Sequence, residues 1–353
     1  MNIAVIASCL YDESLITEKT FVKDLLSILS SQHHQLKFFI IVGKQTAINL
    51  NNNTNYELIK CGSPGKTILQ KRYWWEIRLP RFLKKIKTDI LLSFDGQCAS
   101  SLTLPQVLIE FGCLRTSASS IKKARRITVN SEWEKGKLIK KHHIAKTKIE
   151  ILSLAVKGIE KPDENKREKI KTNYSGGKEY FLCPEKSISG EVFISLLKSF
   201  SQFKKRQQSS LKLLLFSKPG KKYLEIFSSY KYRNDVLVAD ELSEPEQAVL
   251  ISAAYAVLVF QNDSQSVLIT LQSFQSGAPV LAPENSPVKE YAGDAALYFE
   301  ENNGKEIAGK MIHIYTNEEV RNQLIRMGKE KALNFTIEKS ANQLWTCIQK
   351  AIM

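Results

Sequence analysis

The chain has 353 residues, enough for two domains at ~100–200 residues each. Apolar residues make up 43% and charged residues 25%, which excludes disorder as the general state. No apolar run approaches the ~18 residues that span a bilayer. Six scattered cysteines (Cys9, Cys61, Cys98, Cys113, Cys183, Cys347) contain no C-x-x-C pair, which argues against a zinc ribbon or a disulfide framework and for a reducing cytoplasm. Lys and Arg number 51 against 36 Asp and Glu, a surplus of +15 that favours anionic partners.

Taken in order, the segments alternate between strand and helix patterns. Met1–Ala7 has no basic leader and reads as a first strand. Phe21, Leu25, Leu26 and Leu29 share one helical face. Lys37–Val42 is β-rich. Arg72–Lys85 predicts a helix with Trp74, Trp75, Ile77 and Leu79, broken or kinked at Pro80. Asp89–Phe94, Gln106–Phe111 and Ile127–Asn130 read as strands, followed by a helix from Glu132 to about Lys141 and a strand at Lys148–Leu152. Val156–Lys178 is polar, holds Pro162 and Gly176-Gly177, and reads as a linker.

The alternation then restarts. Strands are predicted at Tyr180–Cys183, Lys212–Phe216, Asp235–Ala239, Ala256–Phe260, Pro279–Ala282 and Ala296–Phe299. Helices are predicted between them at Val192–Lys204, Lys221–Tyr230, Glu244–Ala253 and Val267–Gln275. Three helices close the chain, at 305–316, 317–334 and 337–352. Continuous apolar strands separated by helices imply parallel sheets covered on both faces. The expected fold class is α/β, with two Rossmann-like doubly wound domains over 1–156 and 157–335 and a last helix, 336–353, returning to the first. Ligands of such sheets sit at the carboxyl ends of the strands, so a cleft between the halves is the expected site.

Two stretches are strongly basic. Lys60–Asp89 carries nine basic and two acidic residues, and Arg115–Lys148 eleven and two. Within Lys66–Lys87 the cations interleave with Tyr73, Trp74, Trp75, Ile77 and Leu79. That mix suits a core helix with a wet basic face, or a peripheral contact with an anionic membrane surface to which Lys122, Lys123, Arg125 and Arg126 would add. No nucleic-acid module is present, so nucleic acid is disfavoured as a partner. His33, His34, His142, His143 and His313 have no neighbours at metal-ligand spacing, so no metal and no cofactor is expected.

Several motifs carry a family likeness. Gly277-Ala278-Pro279-Val280-Leu281-Ala282 and Val288-Lys289-Glu290-Tyr291-Ala292-Gly293-Asp294-Ala295-Ala296-Leu297-Tyr298-Phe299 resemble retaining glycosyltransferases of family 4, which have the GT-B fold. Leu196-Leu197-Lys198-Ser199-Phe200, Met327-Gly328, Phe335-Thr336 and Ile127-Thr128-Val129-Asn130-Ser131-Glu132 are similar to the same family, and the likeness covers most of the chain.

The resemblance implies four devices for holding a nucleotide-sugar and stabilising its departing diphosphate. The first is a pair of glutamates eight residues apart; Ser264 and Gln272 stand there, Ser264 also suiting an N-cap. The second is a glycine-containing loop for close approach of backbone to diphosphate; it reads Gln265-Ser266-Val267, with a β-branched side chain projecting where phosphate would sit. The third is an Arg-Lys pair; Gly190 and Glu191 stand there, with Lys186 and Lys218 near enough in sequence to compensate. The fourth is a His-Asp dipeptide on the acceptor side; Glu110-Phe111 stands there, with Ser131 on a neighbouring strand end.

The resemblance thus implies a glycosyltransferase-like protein of polysaccharide or glycoconjugate biosynthesis with a degenerate site and no assigned catalytic residue. It leaves open an active retaining transferase with a divergent site, and a basic module binding membrane or carbohydrate. The implied partners are a nucleotide-sugar or carbohydrate ligand, an anionic membrane surface and an active glycosyltransferase. The implied location is the cytoplasm, at the inner face of the membrane.

Overall fold

The computed structural model describes residues 1–12, 16–43, 55–62, 64–65, 67–110, 116–158, 163–185, 189–216, 220, 223–239 and 242–353. The chain divides into two compact units, Met1–Lys157 with Phe335–Met353, and Gly158–Asn334.

In the first unit the elements run β1 (Asn2–Ile6), α1 (Ile16–Gln32), β2 (Lys37–Val42), β3 (Tyr56–Lys60), α2 (Ile68–Tyr73), α3 (Leu79–Lys85), β4 (Ile90–Ser93), β5 (Gln106–Ile109), α4 (Ala118–Lys123), β6 (Arg126–Val129), α5 (Glu132–His142) and β7 (Ile149–Ile151). The second unit holds α6 (Glu164–Ser175), β8 (Tyr180–Cys183), α7 (Gly190–Gln207), β9 (Lys212–Leu215), α8 (Leu224–Ser228), β10 (Val236–Val238), α9 (Glu244–Ser252), β11 (Ala256–Leu258), α10 (Ser264–Ser276), β12 (Val280–Pro283), α11 (Val288–Ala292), β13 (Ala296–Phe299), α12 (Gly304–Thr316) and α13 (Glu318–Ala332). Helix α14 (Ile337–Ile352) ends the chain.

Both sheets are parallel throughout. Their orders are β3-β2-β1-β4-β5-β6-β7 and β10-β9-β8-β11-β12-β13. Strand order reverses between β1 and β4 in the first and between β8 and β11 in the second. These two switch points are where neighbouring connections leave in opposite directions and open a crevice.

The central strands are apolar on both faces because helices cover both, and Ile3, Val5, Leu91, Leu182, Val257 and Leu281 are fully buried. Helix α14 docks on the first unit. Gln343 Oε1 accepts from Ser153 N at 2.8 Å, Ser340 Oγ donates to Ser153 O at 2.6 Å, and Lys350 pairs with Glu150 at 2.9 Å.

Two local departures from the sequence reading have physical causes. The segment 164–175, expected to be linker, is the helix α6. Its apolar stripe is thin, but Asp163 caps its start and Gly176 ends it at φ +62°. The expected break at Pro80 is instead a π turn, Trp74–Arg78, running into α3. Pro80 has no N–H to give the Glu76 carbonyl, and Ser101 Oγ donates to that carbonyl instead at 2.7 Å. Trp74 and Trp75 are buried against the sheet, with Trp74 Nε1 donating to Gly62 O at 2.9 Å. The tryptophans therefore belong to the core and not to the basic surface.

Helix α13 crosses α10 at a glycine. A Cβ on Gly328 would lie 2.6 Å from Cδ1 of the buried Phe274 ring. Gly328→Ala is expected to destabilise the protein by about 1–3 kcal/mol, as overpacking of a filled contact does. Urea denaturation checks this, and an unchanged midpoint would refute the close packing.

Candidate functional site

The second switch point is built from three segments. β8 ends at Cys183 and leads through Pro184 into Glu185. β11 leads into Phe260 and Gln261. The turn after it carries Asp263, whose Oδ1 accepts from Ser266 N at 3.1 Å and caps α10.

Glu185 joins all three. Its Oε1 accepts from Phe260 N at 2.6 Å, from Gln261 N at 2.7 Å and from Ser266 Oγ at 3.2 Å. The residue is 1% exposed, and Oε2 is buried with no hydrogen-bond partner among the described residues. Burial pushes the carboxyl up to about 7, and Asp263 adds to the rise, while the two N–H groups and the Ser266 hydroxyl oppose it.

The first switch point repeats the device. Asp95, just past β4, accepts from Ser8 N, just past β1, at 2.7 Å through Oδ1. Burial raises its pKa, and its hydrogen bonds to Ser8 oppose the rise. Burial also raises the neighbouring Cys9 thiol, with Asp95 and Glu18 contributing, so Cys9 is held as a thiol.

The residues singled out from sequence fall into three groups. Lys186, Lys218 and Phe111 lie outside the described residues. Gly190 and Glu191 stand at the head of α7 and Ser264, Gln265, Ser266 and Val267 at the head of α10, both beyond the carboxyl edge of the second sheet, with Gln272 two turns further along α10. Glu110 and Ser131 sit at the ends of β5 and β6 in the first unit.

Gly190 is the first residue of α7, and a Cβ there would lie 1.6 Å from Cζ of Tyr223. The Tyr223 ring therefore covers the head of this helix, and only glycine leaves it room. Glu191 is exposed in the first turn, where the helix dipole favours an acid.

Two expectations for α10 are corrected. Ser264 is not the N-cap; Asp263 is, and Ser264 is the buried first residue of the helix. The helix starts three residues earlier than the apolar spacing suggests. Val267 does not project into the crevice either. It is fully buried, on the face that α10 turns to the core with Leu268 and Leu271. Gln265, Gln272 and Gln275 are the partly exposed residues of α10, and their spacing puts them on one stripe. Ser264 and Gln272 stand about 12 Å apart along the axis, at 1.5 Å per residue.

On the first unit, Ser131 is spent on structure. It caps α5 by accepting from Glu134 N at 3.1 Å, while Glu134 Oε2 accepts from Asn130 N at 2.9 Å. Glu110 is buried, and its N–H extends the β5–β6 ladder to Thr128 O at 2.9 Å. Among the described residues no group of three or more His, Cys, Asp or Glu side chains is placed to hold a metal.

Sequence reasoning missed Glu185, Asp263 and Tyr223. The available signal was an acid placed directly after a buried apolar strand, where side chains point to the switch point.

Solved structures share the fold over nearly the whole chain. The fold is GT-B. A glycosyltransferase from Rickettsia africae matches with TM-score 0.76 at 13% identity, over 99% of this chain and 98% of that one. HepE of Anabaena, solved with UDP and glucose, matches with TM-score 0.74 at 10% identity over 99% of each chain. WaaG, a glycosyltransferase of lipopolysaccharide biosynthesis, matches with TM-score 0.67 at 14% identity, over 97% of this chain and 98% of that one. No family profile and no curated protein matches the sequence. Within the GT-B fold, the Glu185 crevice lies on the second Rossmann-like unit.

The folded state holds the Glu185 proton more tightly than an ordinary carboxyl with a value near 4.5. Its contribution to stability is thus full below about pH 4.5 and lost as pH rises through about 7. Glu185→Gln is expected to remove a loss of about 1–3 kcal/mol between those limits. Urea denaturation of both chains across this range checks it, and parallel slopes would refute the assignment.

Proposed function

We propose that this chain is a glycosyltransferase-like protein of polysaccharide or glycoconjugate biosynthesis whose donor site no longer supports sugar transfer. The carrying observation is the charge at the carboxyl edge of the second sheet. Glu185 fills the crevice, Asp263 caps α10, and Glu191 stands at the head of α7. From Val259 to Gln275 the chain has no Lys or Arg. Each acid within about 4 Å of a phosphate opposes it by about 4 kcal/mol at the dielectric of a partly wet site. A departing diphosphate needs the opposite sign.

HepE's complex with UDP and glucose supports a nucleotide-sugar or carbohydrate as the class of ligand to test. In a degenerate member the remaining work is binding, either of carbohydrate or of an active transferase. An active retaining enzyme with a divergent site is the competing reading, and turnover decides between them. The purified chain is expected to give no transfer or hydrolysis above background with UDP- or GDP-sugars. Release of UDP or GDP dependent on the protein would overturn the proposal.

The surface of the first unit supports peripheral contact with an anionic membrane at the cytoplasmic face. Ile68 and Leu69 are 84% and 80% exposed on α2, beside exposed Tyr73 and Ile77. Lys71, Arg72, Arg78, Arg81, Lys84 and Lys85 are exposed on the same run of helical turns. A groove of about 700 Å³ lined by Leu69, Arg72, Tyr73 and Ser119 connects this face with α4, which carries Lys122 and Lys123. Among the described residues no helix is long and apolar enough to cross a membrane. Two inserted apolar side chains and several cations at about 1 kcal/mol each suffice for reversible binding. The chain is expected to float with phosphatidylglycerol vesicles at low salt, and Ile68→Asp with Leu69→Asp to release it. Equal flotation of both chains would refute this surface.

A further inference from the structure

Glu185 has an unusual set of partners for a side chain. Two consecutive backbone N–H groups, those of Phe260 and Gln261, meet one oxygen at 2.6 and 2.7 Å, and the Ser266 hydroxyl meets it at 3.2 Å. The hydroxyl comes from the first turn of a thirteen-residue helix. Consecutive N–H donors beside a helix head are the usual cradle of a phosphate or sulfate oxygen. The second carboxylate oxygen is buried in the same crevice with no hydrogen-bond partner among the described residues. The donors are thus arranged for an anion, and the anion is part of the chain.

We propose that Glu185 is a tethered anion seated in an oxyanion cradle, and that a free oxyanion, either sulfate or the terminal phosphate of a nucleotide, binds there once that side chain is removed. This deepens the reading of the second unit as a donor site that no longer holds a diphosphate. The groups facing Glu185 strengthen the exclusion. Asp263, from the turn ahead of α10, adds negative charge, and Cys183, from β8, is kept as a neutral thiol by burial and by Glu185.

Removing the carboxylate leaves three buried donors unsatisfied, so the vacated site should be less stable until an anion returns. Glu185→Gly in the full chain is expected to melt below wild type at pH about 8 and to recover as sulfate is added. Sulfate affinity, by calorimetry, is expected to rise at least about tenfold over wild type. Adding Ser266→Ala to that variant should weaken sulfate severalfold.

Glu185→Gln supplies an arm in which the cradle stays filled. Its amide oxygen still accepts from the three donors, so it should bind sulfate no better than wild type, whereas Glu185→Ala, which empties the cradle, should bind it as Glu185→Gly does. If Glu185→Gly does not fold, Glu185→Ala against Glu185→Gln decides. UDP binding more tightly than sulfate to Glu185→Gly would identify a nucleotide phosphate as the occupant, and equal binding a free oxyanion. Either supports the cradle. Sulfate binding that is equal in wild type and Glu185→Gly, or that rises in Glu185→Gln as much as in Glu185→Ala, overturns it. Melting and anion binding are read without turnover, so sugar transfer by wild type would refute the degenerate reading separately.

Discussion

A buried acid gripping the backbone of a neighbouring strand holds together the crevice of each sheet. At a switch point the two central strands send their connections to opposite faces, so no strand or helix covers the first N–H groups beyond their ends. Buried N–H groups need acceptors. Phosphate of a bound ligand, water or a protein side chain can supply them. Here Asp95 supplies Ser8 in the first unit, and Glu185 supplies Phe260 and Gln261 in the second. The crevices are therefore closed by the chain's own chemistry, with acids from β4 and β8 tied across to β1 and β11.

The balance of forces differs between the two acids. A charge-assisted hydrogen bond contributes about 1.5–3 kcal/mol, while taking a carboxylate out of water costs several. Among the described residues, Glu185 accepts three such bonds through one oxygen and none through the other. Desolvation outweighs them, and the carboxyl ends near 7. A cation beside Oε2 would have reversed that outcome.

The parts of the fold legible in sequence are those governed by local pattern. Ile3–Ile6, Phe38–Val42 and Ile90–Leu92 are continuous apolar runs, and burial on both faces of a parallel sheet requires such runs. Helix α6 was not legible because it buries little, Ile170 and Ser175 among twelve residues, and rests on its caps. The start of α10 was misplaced because Asp263 competes with Ser264 for the capping role, and a carboxylate one residue earlier reaches Ser266 N. Val267 was read as an obstacle to phosphate because spacing alone does not show which way a helix is turned about its axis. Glu185 was invisible for a different reason. Phe260 and Ser266 lie 75 and 81 residues from it, so nothing short of the β8–β11 pairing brings them together.

The surplus of positive charge and the acidic crevices are complementary features. Within the first unit, Lys122, Lys123, Arg125, Arg126 and Lys148 line a groove of about 760 Å³ beside Gln106, where β5 begins. Asp95 closes the opposite, carboxyl end of the sheet. Cations thus gather at the amino ends of the strands and on α2, and acids at the carboxyl ends. A field of this kind draws polyanions to the outer surface, at a range set by the ~10 Å screening length of ordinary salt. It does not draw them into the crevice, where a fixed carboxylate already occupies the donors. Anion attraction and anion exclusion coexist in one unit because the two ends of a parallel sheet are chemically independent. A transferase that holds a diphosphate needs the attraction at the carboxyl end.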